Sequence, residues 1–334
     1  MSKFRALFFL LVLYPPMAQA QVLDLSGYQD ASGAISTGYG GDTVDTYFAT
    51  KALLTAGDGG MKMHHPAMAW IKWALSKQRP DGRFDRYKRD AADEWHSYTN
   101  ADADDASLAV WLQLLYRLSP ANGMPHAWQD SARRADAQLQ ALYDPTLGIY
   151  HISKSMPVGL LMDNVEIYSA FIDIAQEQKR LGQKDAARIY NRRAALLNTS
   201  IVRVFRQPAT GEYLVSTQAR SGTAFYPDQA AQVFPLLYQL HDGSDANTTY
   251  SRWVAANGKE WLRQRNDDYP WGLVAVTALT MNDAGSASCW QNSAEPMRYS
   301  KHWNVLEEAA LQRVKWQLSL RHESAIPCVG KDLL

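Results

Sequence analysis

The sequence predicts an all-α chain, an (α/α)6 barrel in which helix hairpins build two concentric rings and short β-hairpins sit in the loops. Three observations carry this reading. Helices of two kinds alternate, acidic residues open the apolar kind at a nearly constant interval, and a Gly-then-aromatic signature recurs ahead of them.

The apolar kind shows no polar face. Leu108 to Tyr116, Val165 to Ala175, Ala230 to Leu240 and Trp271 to Leu279 have the pattern of helices buried on every side. The other kind is amphipathic: Trp128, Ala132, Ala135, Leu139 and Leu142 fall at i, i+4, i+7, i+11 and i+14, with Arg133, Arg134, Asp136 and Gln140 between them. Asp185 to Phe205 and Asp245 to Arg265 behave alike. An architecture with every second helix interior satisfies this alternation, and two rings provide it. Asp45, Asp105, Asp163 and Asp228 each stand at or near the start of an apolar helix, 60, 58 and 65 residues apart. Two more apolar helices open near Asp268-Tyr269-Pro270-Trp271 and His302-Trp303-Asn304, which gives six inner helices. Before three of them, Asp81-Gly82-Arg83-Phe84, Leu147-Gly148-Ile149-Tyr150 and Thr210-Gly211-Glu212-Tyr213 each place Gly ahead of an aromatic residue, an echo that supports the repeat.

Residues 1–20 read as a secretory signal peptide and 21–334 as one barrel domain. Lys3 and Arg5 precede an apolar run from Ala6 to Tyr14, and Ala18-Gln19-Ala20 supplies the small-x-small ending. The expected location is therefore the periplasm or the exterior, without stable membrane insertion, because no later stretch is long and apolar enough to span a bilayer. The chain carries 34 Lys+Arg and 34 Asp+Glu, so no global charge recruits nucleic acid or an anionic surface. A monomer is expected. The two cysteines, Cys289 and Cys328, make one candidate disulfide, since export places them where thiols oxidise. The eight histidines have no zinc-site spacing, so no catalytic metal of the zinc type and no cofactor are expected, while a carboxylate-bound calcium stays open.

The hairpin spacing and the string Asn100-Ala101-Asp102-Ala103-Asp104-Asp105-Ala106-Ser107-Leu108-Ala109-Val110-Trp111 resemble the six-hairpin glycosidase superfamily. The acidic string is similar to an inner-helix motif of glycoside hydrolase family 8. In that family a catalytic glutamate precedes a Gly-rich stretch on the first hairpin, whereas Ser36-Thr37-Gly38-Tyr39-Gly40-Gly41 carries Thr37 there. The resemblance implies a polysaccharide-cleaving enzyme, hydrolase or lyase, with its cleft over the N-terminal ends of the inner helices.

Glycoside cleavage needs two carboxyl groups in different protonation states. A carboxylate that accepts helix N–H bonds stays ionised and suits a base or nucleophile, and Asp105 and Asp228 are the first candidates, with Asp45 and Asp163 beside them. A general acid needs a desolvated setting, which Glu166, beside Val165 and Ile167, and Glu94, before Trp95, would have. Asp42, Tyr39, Trp95, Tyr98, Tyr226, Trp271 and Trp303 are candidate sugar contacts, the rings as stacking platforms. The basic stretch Arg79, Arg83, Arg86, Lys88 and Arg89 keeps open a lyase acting on a uronate-containing polymer. Thr37, in place of the family glutamate, keeps open a non-catalytic glycan-binding or export accessory protein. Each aspartate also has a plain alternative as a helix cap, and each aromatic as core.

Overall fold

The computed structural model describes residues 20–219, 223–264, 269–321 and 328. The hydrophobic run ahead of the proposed cleavage point therefore lies outside the described residues, as does Arg265.

The chain runs β1 (Thr43–Val44), α1 (Thr46–Asp58), α2 (His64–Lys77), β2 (Asp85–Arg89), β3 (Trp95–Asn100), α3 (Asp104–Arg117), α4 (His126–Gln140), β4 (Tyr143–Asp144), β5 (Ile149–Tyr150), α5 (Leu161–Arg180) and α6 (Lys184–Phe205). After a π-helical turn at Phe225–Gln229 and a 3-10 turn at Ala230–Val233 come α7 (Phe234–Leu237), α8 (Ala246–Leu262), α9 (Gly272–Thr280), α10 (Ala284–Ala294) and α11 (Val305–Leu320). The inner ring closes through contacts of α1 with α3, α3 with α5, α5 with α7, α7 with α9, α9 with α11, and α11 with α1. Outside it pack α2, α4, α6, α8 and α10. The fold is thus the (α/α)6 toroid that the alternation predicts, with five outer helices among the described residues.

Burial separates the two rings as the residue patterns require. Twelve of the fourteen residues of α3 and eight of the nine of α9 are buried, against five of fifteen in α4. Trp111, Trp128, Trp253 and Trp261 all sit in the core. Between α2 and α11 runs an extended N-terminal segment instead of a helix. It bonds to α11 through Asp24 N–H and Gln312 Oε1 (2.9 Å) and to α2 through Gln29 Nε2 and the Pro66 carbonyl (2.9 Å).

The recurrent Gly-aromatic signature is a recurrent turn. Gly82, Gly148 and Gly211 all have positive φ (93°, 70° and 75°), a conformation that costs glycine nothing. The aromatics that follow, Phe84, Tyr150 and Tyr213, are each turned into the core. β4 pairs with β5 at one of these turns, and β1, β2 and β3 form a three-stranded antiparallel sheet over another.

One inner helix departs from expectation. Ala230 to Leu240 does not form a continuous helix, because Pro227 and Pro235 remove backbone donors and Tyr226 is extended (φ −108°, ψ 133°). The segment bends through the π and 3-10 turns into the four residues of α7.

Cys289 and Cys328 form a disulfide that ties the chain beyond α11 to α10. Closing a 39-residue loop reduces the entropy of the unfolded chain by about 4 kcal/mol at 25 °C in the loop-entropy model. Urea unfolding with and without a reductant is expected to show a loss of that order, and an unchanged midpoint would assign the bond no role in stability. Among the described residues no helix is long and apolar enough to cross a membrane.

Candidate active site

A cavity of about 670 Å³ opens where the N-terminal ends of all six inner segments meet. Asp45 and Tyr47 enter it from α1, Ala103 and Ala106 from α3, and Asp163 from α5. Tyr226 and Pro227 come from the turn before α7, Trp271 and Leu273 from α9, and Asn304 and Glu307 from α11. Parallel inner helices in a ring must present their starts on one side, so the sequence positions of these residues dictate a common mouth.

Two carboxyl stations face each other there. In the ring order α5 and α11 stand opposite, and Asp163 and Glu307, each in the first turn of its helix, line the same cavity. Asp105 of α3 lies behind Asp163, fully buried, and the two carboxyl groups interact as a hydrogen-bonding pair. Asp105 Oδ1 accepts from Ala106 N–H (2.9 Å). Oδ2 of each carboxyl is buried with no donor among the described residues. Two acceptors left in that state are costly, and one proton shared between them satisfies both. Burial, followed by the charges of Asp105, Glu166 and Asp102, pushes Asp163 well above the usual carboxylate range. Burial also pushes Asp105 up to about 7. Both shifts favour a proton retained on the pair.

Glu307 occupies the third helical position after the cap Asn304, whose side chain accepts from Leu306 and Glu307 N–H (2.9 and 3.1 Å). Its Oε2 accepts from Gly272 N–H (2.7 Å) at the start of α9. Burial pushes Glu307 up to about 7, and the backbone donors of Gly272 and Trp271 oppose the shift. Gly272 has to be glycine: a Cβ there would lie 2.5 Å from Ala310 Cβ and 2.8 Å from Glu307 Oε2. Trp271, just before it, takes the left-handed conformation (φ 59°, ψ 57°), which is strained for a bulky residue. Its ring thereby stacks on Tyr226, centroids 4.9 Å apart and planes 23° apart, as an aromatic wall of the cavity. The Trp271 indole N–H is buried without a partner among the described residues.

Asp45 caps α1, accepting from Tyr47 N–H (2.9 Å), and its Oδ2 meets Arg86 Nε at 2.6 Å. Arg86 also pairs with Asp102 at 2.8 Å on the cavity rim. Below the floor, Lys51 and Glu166 form a buried ion pair at 2.9 Å. Tyr47 donates its hydroxyl proton to Glu166 (2.9 Å), and Lys51 donates to the Tyr238 hydroxyl. Burial alone would depress Lys51, but Glu166 and Tyr238 more than offset it and raise its pKa.

Of the residues singled out in the sequence, Asp45, Asp163, Tyr226 and Trp271 line the cavity, and Asp105 backs it. The others lie elsewhere for local reasons. Asp228 turns back on its own π turn, accepting from Ala224 N–H (2.9 Å), and is not part of the cavity wall. Glu166 is sealed under the floor by Lys51 and Tyr47, which makes it a charge partner and not a proton donor to a ligand. Glu94 is solvent-exposed at the tip of the β2–β3 hairpin. Asp42 is an exposed partner of Lys88 at 3.7 Å. Tyr39 packs on Tyr299 (4.1 Å) and edge-on to Tyr28 (5.6 Å), away from the cavity. Trp95 is buried against Trp73 with its N–H on Asp30 Oδ2 (2.8 Å). Tyr98 is exposed on β3, and Trp303 is core, donating to Glu308 Oε2 (3.2 Å).

Sequence reading missed Glu307 and Tyr47. The one trace of Glu307 is its place three residues after Asn304, which reads as ordinary capping. Tyr47 has no signal of its own. Among the described residues no group of three or more His, Cys, Asp or Glu is placed to hold a metal ion.

No protein-family model and no curated protein sequence matches the chain. Solved structures do. An α-amylase from Clostridium perfringens aligns at TM-score 0.57 and 11% identity, covering 88% of this chain and 94% of that one. Rex8A from Paenibacillus barcinonensis, complexed with xylose, aligns at 0.50 and 14%, covering 88% and 86%. A D-mannose isomerase aligns at 0.55 and 11%, covering 88% and 94%. At these identities the shared property is architecture, and the chain has the six-hairpin glycosidase fold.

Proposed function

We propose that the chain is an exported glycoside hydrolase that cleaves a polysaccharide or oligosaccharide with paired carboxyl groups, Asp163 as general acid and Glu307 as base. The observation that carries this reading is the placement of these two residues on opposite walls of one cavity, in settings that hold different protonation states. The Asp105–Asp163 pair keeps a proton, while Glu307, supported by the Gly272 N–H, ionises near pH 7. With a sugar chain between them, Glu307 takes a proton from water as the water oxygen attacks the anomeric carbon. Asp163 gives its proton to the departing glycosidic oxygen. Tyr226 and Trp271 offer ring faces to a pyranose.

The charge distribution favours a neutral glycan. Each base of the sequence's cationic stretch is engaged: Arg79 with Asp85, Arg83 with Asp81, Arg86 with Asp45, Lys88 with Asp42 and Arg89 with Asp93. Arg86 alone of these lines the cavity, against Asp45, Asp102, Asp163 and Glu307. Export is supported by the N-terminal segment and by the disulfide.

The test is a panel of α-glucan, β-glucan, xylan and polyuronate incubated with the mature chain, with release of reducing ends measured. Cleavage of a neutral polymer is expected. Products from polyuronate alone, carrying an unsaturated end, would make the chain a lyase, and glycan binding without any product would make it a non-catalytic receptor.

A further inference from the structure

The walls of the candidate active-site cavity differ in character. Asp45 at the start of α1, Arg86 on β2 and Asp102 ahead of α3 line it with charge. The wall over α5 is built from residues 152–162, which lead into that helix, and 215–218, which follow α6. Leu160 and Ser216 join the two segments as an antiparallel bridge. Leu161 N–H donates to the Val215 carbonyl (3.0 Å) and Thr217 N–H to the Gly159 carbonyl (3.0 Å). Ile152 N–H donates to the Val158 carbonyl (2.9 Å), and its own carbonyl accepts from Asp104 N–H (3.0 Å) at the start of α3. Gly159 leaves no room for a side chain, since a Cβ there would lie 2.4 Å from Ile149 Cδ1. Backbone bonds and close packing therefore hold this wall in place.

Eight of its residues line the cavity, and six of them, Ile152, Met156, Val158, Leu160, Met162 and Val215, are apolar. None of the six is aromatic, so this wall has no flat ring for a pyranose to stack on. Of the two polar members, Ser216 already accepts from Gln218 N–H (3.0 Å). A fully hydroxylated sugar turned toward the wall loses water from hydroxyls that find few partners, and that loss is costly. A methyl group gives up no hydrogen bond there and gains apolar contact. Met162 directly precedes Asp163, so the apolar wall borders the carboxyl assigned as the acid.

We propose that the subsite beside Asp163 takes a sugar bearing a small apolar substituent, the methyl of a 6-deoxyhexose or the acetyl of an acylated hexose. The inference rests on the reading of this cavity as a glycan site, and it narrows the neutral glycans of that reading to those carrying methyl-terminated groups.

Titration of the mature chain with free sugars, followed by tryptophan fluorescence, tests the subsite without any cleavage. Glucose, galactose and mannose, in D and L forms, are each compared with their 6-deoxy and 6-O-acetyl derivatives. At least one derivative is expected to bind about tenfold more tightly than its parent, the discrimination an apolar pocket gives for a small group. The stronger derivative identifies the source of the methyl. Leu160→Asn and Met156→Gln should each reduce the ratio to about threefold or less. Leu160 stands at the cap of α5, where Asn is a favoured residue, and Met156 is exposed, so both variants should fold. Parent sugars that bind as tightly as their derivatives overturn the proposal, as does a preference that both variants keep or a failure of every sugar to bind. A preference without product from any polymer refutes the hydrolase alone, and product release without a preference refutes the subsite alone.

Discussion

Glu307→Gln is expected to lower turnover by about two to four orders of magnitude, the usual contribution of a positioned acid or base. It keeps the shape of the side chain and an oxygen for the Gly272 N–H, so helix content and compactness should be unchanged. The same variant has a signature independent of substrate. Folding raises the Glu307 pKa from 4.5 to about 7, so the folded state binds this proton more tightly than the unfolded state. Its contribution to stability is full below pH 4.5 and disappears as pH rises through about 7. Glu307→Gln should therefore flatten the fall in stability across that window, as read from urea unfolding at a series of pH values. In the wild type, cleavage should rise as pH climbs through 7 and Glu307 ionises. A variant with wild-type turnover removes Glu307 from the reaction, and an unaltered stability profile removes the proton assigned to it.

Lys51→Met should cost about 3 to 5 kcal/mol, the range found when one member of a buried ion pair is deleted. Glu166 is 1% exposed and would keep only Tyr47 to offset its charge. The double variant Lys51→Met/Glu166→Gln should recover most of the loss, because no uncompensated charge remains. Urea unfolding of the single and double variants measures both. A single-variant loss below about 1 kcal/mol, the range of surface pairs, would show that solvent reaches the pair.

The ring was legible because its causes are periodic. Each inner helix has to be apolar on all sides and each outer one on a single side, and residues such as Trp111 and Arg133 show this without coordinates. The mouth was legible in part, since helix starts converge in any such ring, and Asp45 and Asp163 follow from that alone. What separates Asp163 from Asp228 is a backbone bend at Pro227 that turns one carboxylate on its own turn. Lys51 decides the fate of Glu166 from 115 residues away in the chain, and nothing near Glu166 announces it. The aromatics divided by the same kind of distant contact. Trp95 and Trp303 found buried acceptors in Asp30 and Glu308, while Trp271 did not and faces the cavity.

The N-terminal segment that bonds Asp24 to Gln312 joins residues 288 positions apart, and α1 packs directly on α11. A circle of helices whose first and last members are neighbours cannot be completed until the last is available. Neighbouring helices such as α5 and α6 can associate early, but the seam waits for the most distant pairing in the chain, which is slow to form. Until then the acids of α1, α5 and α11 are not gathered, so the cavity exists only after the chain has joined its two ends.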